Sequence, residues 1–457
     1  MNIIKKSLRE SAVARWSAIF FISILMFASY YFYDIFSSIK DTLQNQTGMS
    51  NADYGKMYGA YSFTNAVLLM ALFGGMILDK WGIRKTGIIF ISFVFIGTFL
   101  TAYGATSSFQ NGGLGYAWFS SFLPSYTPEL KMMILGRVLF GLGAETFYVV
   151  INKVIAKWFK GKELALAFAL SLALGRFGTA AALSLSPRLL PNMQFGPIDT
   201  AAWFGVMLII IALIGFVVYL IYDVRFDKRQ AEDGVEPEAE FNAKELLKLF
   251  KNKSFIYITL LCILFYAAVF PFLGFAPDFL HNKFGFSLQT SGDLTSILPY
   301  GTILFTPIFG WWCDHKGKSA SLMILGSLLL IIVHLTFSLT MLTPYIPLFF
   351  LGVAFSLVPA AMWPSVAKIV PDHQLGTAYG FMFTIQNFGM MGVPVLMGMT
   401  LDMNNKGVAE GAPLDYTYTI LMLSALGILG VVFAFLLKRE DKTSGHGLEL
   451  ANKVKEL

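Results

Sequence analysis

About twelve apolar stretches of roughly 20 residues divide the chain, at 14–38, 53–79, 85–104, 132–157, 164–189, 200–222, 254–280, 290–313, 319–340, 346–369, 377–400 and 417–437. A helix of about 20 residues rises about 30 Å, the thickness of a bilayer's hydrocarbon core. With no water there to satisfy backbone N–H and C=O groups, such stretches cross as helices. The composition of 56% apolar and 14% charged residues leaves too little polar surface for a soluble fold, which carries about 25% charge. Soluble enzymes, disulfide scaffolds and nucleic-acid binders are thereby excluded. The net charge of +6 lies between apolar runs and not on one water-facing patch. Cys262 and Cys313 fall inside or beside apolar segments, where cysteine behaves as a small hydrophobe, so no disulfide is expected. Lys5, Lys6, Arg9 and Arg15 precede the apolar run Trp16 to Tyr33, which is too long for a signal core and lacks an A-x-A-like site, so it reads as a retained first span.

The long polar stretch from Asp223 to Lys253 contains DKRQAEDGVEPEAE and separates six spans from six. The expected fold is an all-α membrane protein, 12 transmembrane helices in two pseudo-symmetric six-helix bundles. The domains are 1–222, a linker at 223–253, 254–437 and a tail at 438–457. Cytoplasmic loops retain Lys and Arg. With the amino terminus inside, that side receives Lys80, Arg84, Lys85, Lys160, Lys162, Lys316, Lys318, Lys438 and Arg439, against chiefly Lys40, Lys131, Arg188, Lys283 and Lys406 opposite. Both termini and the linker are therefore expected in the cytoplasm. The halves also repeat. GMILDKWGIRK after span 2 (Gly75, Asp79, Gly82, Arg84, Lys85) and GWWCDHKGK after span 8 (Gly310, Asp314, Gly317, Lys318) both read G-x-x-x-D-x-x-G followed by base. Equivalent placement in a six-plus-six layout points to parallel repeats about an axis along the membrane normal, the plan of transporters with a site at their interface.

Ionisable groups at membrane depth are costly unless they face a cavity or a partner, so each is a functional candidate. Glu145 lies near the middle of span 4 and Arg176 near the middle of span 5. One reading is an ion pair tying the two helices. The other is a zwitterion receptor, with the arginine fork for a carboxylate and the glutamate for an ammonium group. Aligning the two halves sets Ser356 against Glu145 and Asn387 against Arg176. With Gln386 these make a neutral hydrogen-bonding wall, or else bond between helices. Tyr30, Tyr31 and Trp363 are candidate contacts. Asp34 is a candidate gate acid, Arg137 a candidate coupling residue, and Asp79, Arg84, Lys85, Asp314 and Lys318 are candidates to close the cytoplasmic side.

FASYYFYD (27–34), GRVLFGLGAE (136–145), WFKGKELALAF (158–168), AVFPFLGF (268–275), KFGFS (283–287) and MWPSVAKIVPDHQLGTAYGFM with IQNFG (362–389) resemble the lysosomal dipeptide uniporter branch of the major facilitator superfamily. The likeness covers most of the membrane domain. It implies a dipeptide-like substrate, with the span-4 acid at the peptide amine and the span-5 arginine at the carboxylate, here Glu145 and Arg176. Two features depart from that branch. MNIIKKSLRESAVARW holds no acidic dileucine sorting signal, and an aromatic and polar insertion, about Ala105 to Leu130, lies between spans 3 and 4. The first suggests a bacterial inner-membrane homologue with no obligate protein partner. The second is a lid, a docking surface or an uninvolved loop.

The expected activity is transport of small zwitterions, dipeptides first, by alternating access, as uniport or with protons. One alternative is an organic-anion carrier using Arg137 and Arg176, and another is a non-transporting membrane sensor. No metal-ligand spacing or nucleophile motif is present, so no enzyme, cofactor or metal is expected.

Overall fold

In a computed structural model, residues 11–159, 163–190, 198–230, 249–371, 374–409 and 411–452 are described, and they are helical with no strand. Ten helices are each long and apolar enough to cross a membrane. The chain makes 12 crossings, because spans 2 and 8, built from shorter pieces, add to those ten. Span 1 starts at Ala12–Asp34, capped by the Ser11 hydroxyl, and runs on through Ser37–Ile39 and Lys40–Thr47. Span 2 joins Asn51–Gly59, Ala60–Ser62 and Phe63–Val67 to the start of Met70–Ala105. It breaks at Leu69, whose φ of 55° is left-handed, a conformation disfavoured for a residue with a Cβ. Span 3 follows the sharp turn at Gly82, where φ is 76° and ψ 168°. Only glycine takes that conformation readily, which explains the glycine of the repeated motif.

The first half continues with Pro128–Phe159, Leu164–Leu185 and Asp199–Gln230. The last helix overruns the expected linker start at residue 223, because Asp223 is not a loop acid. It is 1% exposed and accepts hydrogen bonds from Arg84, Lys157 and Tyr219. Linker residues 231–248 and tail residues 453–457 lie outside the described residues, as do Lys5, Lys6, Arg9, Lys160 and Lys162. The second half comprises Lys253–Phe284, then Leu288–Thr295 with Ile297–His315 as span 8, then Ser319–Leu339, Tyr345–Ile369, Leu375–Asn404 and Thr417–Ser444.

Every crossing reverses direction, so the start of span 1 at Ala12, the end of span 6 at Gln230, the start of span 7 at Lys253 and the end of span 12 at Ser444 share one end of the bundle, the linker end. The 1–2, 3–4, 7–8 and 11–12 connections share the far end. The halves meet along spans 2 and 11 and along spans 5 and 8. At the first seam Gly55 and Gly59 lie against the backbone carbonyls of Pro394 and Met391, so close that a Cβ would collide with them. Small residues let membrane helices approach at backbone distance and gain van der Waals contact.

Candidate functional site

Half-way along spans 4 and 5, Glu145 and Arg176 are each partly exposed at the seam between the halves. No ion pair joins them among the described residues. Glu145 accepts a 2.5 Å hydrogen bond from the Tyr61 hydroxyl of span 2 and has Asn65 beside it. Arg176 makes no hydrogen bond or ion pair among the described residues. Its guanidinium lies over the rings of Phe355 at 4.8 Å, Phe270 at 5.6 Å and Tyr30 at 5.8 Å. Ring faces attract a cation without consuming its N–H groups, so the planar fork is held in place with its donors free. Tyr30 stacks on Tyr148 at 5.7 Å and lies within electrostatic reach of both Arg176 and Glu145. The site thus carries an anion and a cation on neighbouring helices, each anchored by something other than its opposite charge.

The second half contributes mainly aromatic surface. Phe270 and Phe355 meet Arg176, and the Trp363 indole donates to the Tyr266 hydroxyl at 3.0 Å while stacking on Phe383 at 4.7 Å. Several expected contacts point elsewhere. Ser356 is fully buried and its hydroxyl donates to Gly352 of its own helix at 2.8 Å, so the wall facing Arg176 is Phe355, one residue away. Tyr31 is fully buried against Phe204 and the Ser186 hydroxyl, and only Tyr30 reaches the site. Gln386 contacts the Cys262 thiol, and Asn387 donates to Phe383 of its own helix with its Oδ1 unpartnered.

Asp34 is 2% exposed and accepts from the Tyr58 hydroxyl at 2.9 Å. Arg137 is fully buried, lies over the Phe32, Tyr33 and Phe36 rings and donates to the Tyr33 carbonyl at 3.0 Å. In this conformation it is sealed from solvent, whereas Arg176 is partly exposed. Tyr33 packs between Tyr58 and Tyr61, at 5.0 and 4.7 Å.

The far end is closed across the halves. Lys40 donates to Asp278 at 2.5 Å and to Asn51 at 2.6 Å, in a pair whose side chains are 0% and 1% exposed. Asp278 also accepts from the Tyr416 hydroxyl and from Asn282 at 2.9 Å. Burial of a charge pair is tolerable only when the remaining lone pairs are satisfied like this. Asp402 of span 11 accepts from the backbone N–H groups of Asn51 and Ala52 at 3.1 and 2.8 Å and from the Asn51 amide at 2.8 Å. A carboxylate from one half thereby caps a helix of the other, where the helix dipole favours negative charge. Tyr54 donates to the Gly274 carbonyl at 2.9 Å, and Arg188 grips Asp293 through two bonds of 2.9 and 2.7 Å. Lys40, Asp278, Asn51, Asp402, Tyr54, Tyr58 and Tyr61 were not among the expected site residues, although Tyr54, Tyr58 and Tyr61 recur at helical spacing.

At the linker end the repeated motifs fasten each half to itself. Asp79 pairs with Lys153 and Arg84 with Asp223, all in the first half, while Lys85 is exposed. Asp314 accepts from Asn452 at 3.1 Å, and Lys318 lies 3.9 Å from Glu449, both in the carboxyl tail. None of these contacts crosses between the halves in this conformation, which is closed at the opposite end. Glu449 also accepts from the Ser321 backbone and hydroxyl. Burial pushes its carboxyl up, but these bonds and the charges of Lys438 and Lys318 hold it below the usual carboxylate range. Among the described residues no group of three His, Cys, Asp or Glu side chains is placed to hold a metal.

The Major Facilitator Superfamily model matches residues 19–394 and 264–455. The lysosomal dipeptide transporter MFSD1 of Homo sapiens is 31% identical over 431 residues, which cover 91% of this chain and 84% of that protein. Among solved structures, a bacterial homolog to the human lysosomal transporter Spinster, in an inward-facing and occupied conformation, superposes with a TM-score of 0.66. It is 14% identical, covering 94% of this chain and 98% of that one. The xylose transporter XylE from E. coli, inward open, gives 0.66 at 16% identity, covering 93% and 96%.

Proposed function

Because this chain belongs to the major facilitator superfamily, a family of transporters and not enzymes, we propose that its cargo is a small zwitterion, a dipeptide first. Glu145 accepts hydrogen bonds from the substrate ammonium group and Arg176 presents its fork to the carboxylate. The observation that carries this reading is that the two charges share one partly exposed site without neutralising each other. A paired Glu and Arg would have to be separated before binding, whereas these are already oriented, and preorganised groups lose less on binding. The dipeptide transporter named above, alike over nine-tenths of this chain, supports the substrate class.

In this reading the linker end faces the cytoplasm, as the Lys and Arg bias between loops requires. The conformation is closed to the outside by Lys40–Asp278, Asp402 and Arg188–Asp293, in keeping with the inward-facing proteins it resembles. Transport alternates this state with one in which spans 2 and 11 part. Uptake of a labelled dipeptide into proteoliposomes tests the assignment. Glu145→Gln and Arg176→Lys are each expected to lower uptake at least tenfold, since a hydrogen bond to a charged group contributes about 1.5–3 kcal/mol. Wild-type uptake by both variants would refute it, and inhibition by monocarboxylates but not peptides would assign an organic-anion cargo instead.

A further inference from the structure

At the far end, away from the transport site, a cavity of about 630 Å³ opens between spans 2, 4 and 11. Its volume is in the range of small-molecule pockets. Ala60 and Phe63 of span 2 and Leu135 of span 4 line it from the first half, Met391 and Val395 of span 11 from the second. The insertion between spans 3 and 4 supplies the remaining wall. That insertion folds as two short helices, Ser107–Gln110 and Tyr116–Ser120, around its own small core of Phe109, Phe119 and Met132. It turns Trp118 and Leu123, 63% and 57% exposed, toward the cavity. Spans 4 and 11, which supply part of its wall, are helices long and apolar enough to cross a bilayer, where acyl chains and not water meet apolar surface.

The charge at this cavity is specific. Lys131, 8% exposed, pins the insertion by donating to the carbonyls of Phe119 and Phe122, which uses two of its three N–H groups. No ion pair joins it to a carboxylate among the described residues. Lys56, whose side chain is 31% exposed, lies 4.5 Å over the Tyr126 ring and pairs with Asp53 at 2.9 Å. One carboxylate therefore answers two ammonium groups beside an apolar cavity.

We propose that this cavity is a binding site for an anionic phospholipid of the far leaflet, with an acyl chain between spans 2, 4 and 11 and the phosphate at Lys56 and Lys131. The insertion is the element that builds the site. A chain lodged there touches both halves at the seam that must part for the far end to open, so the bound lipid favours the closed state.

The test is native mass spectrometry of the full, delipidated chain titrated with phosphatidylglycerol and with phosphatidylcholine. The wild-type protein is expected to retain phosphatidylglycerol about fivefold more strongly, the effect of one uncompensated lysine near a lipid phosphate. Lys56→Met is expected to abolish that preference, and Leu135→Trp, which fills the cavity from an exposed position, to abolish the retained adduct. Equal retention of the two lipids by the wild-type chain overturns the proposal without recourse to any variant. So does undiminished phosphatidylglycerol retention by Leu135→Trp with an unchanged melting temperature.

Discussion

Lys40→Met should open the far end of the protein. The ammonium of Lys40 is the cation for Asp278 and also donates to Asn51, and both partners of the ion pair are sealed from solvent. Removing one member of a buried pair costs about 3–5 kcal/mol because the other charge stays buried. Tyr416 and Asn282 still donate to Asp278, which places the cost near the lower figure. The penalty falls only on the closed state, since parting the halves returns Asp278 to water. About 3 kcal/mol shifts the balance between the two conformations about a hundredfold toward the open one. Spin labels at Asn45 and Lys406, both exposed at the far end and in opposite halves, read that balance by pulsed dipolar spectroscopy. Native Cys262 and Cys313 are buried and should not label. The expected result is a move of the distance distribution to longer values in Lys40→Met, reversed in Lys40→Met/Asp278→Leu, where no orphaned charge remains. An unchanged distribution in the single variant would refute the view that this pair holds the far end closed.

Other consequences are open to measurement. Tyr61→Phe removes the hydroxyl that orients Glu145 and should weaken dipeptide binding about tenfold by calorimetry, because one charge-assisted hydrogen bond is lost. Asp79→Asn breaks an exposed pair with Lys153 and should change stability by less than about 1 kcal/mol. Asp223→Asn removes the buried carboxylate that pairs with Arg84 and Lys157 and should cost about 3 kcal/mol, read as a lowered melting temperature. The tail bears a pH dependence. Glu449 sits below its ordinary range when docked, so its contribution is complete above the ordinary glutamate value, about 4.3, and is lost as pH falls through the lower docked one. A spin label at Ala451 should therefore be immobile at neutral pH and gain mobility only on acidification below about pH 4.

The spans were legible because an apolar window of about 20 residues has one stable fate in hydrocarbon, and Glu145 and Arg176 because a charge in such a window demands a reason. The orientation of side chains was less legible. Successive residues on a helix differ by about 100° in direction, so a one-residue error exchanges Tyr30 for Tyr31, or Phe355 for Ser356. The far-end latch was missed on two counts. Lys40 read as a loop base, although span 1 continues to Thr47 and buries it. Asp278 lies inside the apolar span 254–280, where a charge demands a partner just as in spans 4 and 5. The break of span 2 at Leu69 had no local signal, since neither Gly nor Pro marks it.

The central claim, that Glu145 and Arg176 hold the two ends of a zwitterion, is tested most directly by thermal unfolding of the detergent-purified chain with dipeptides and their amino-acetylated and carboxyl-amidated analogues. A ligand that binds the folded state alone raises the melting temperature. The account predicts stabilisation by the free dipeptide, none by either blocked form, and none by the free dipeptide in Glu145→Gln or Arg176→Lys. Equal stabilisation by the blocked analogues, or by the dipeptide in both variants, would contradict it.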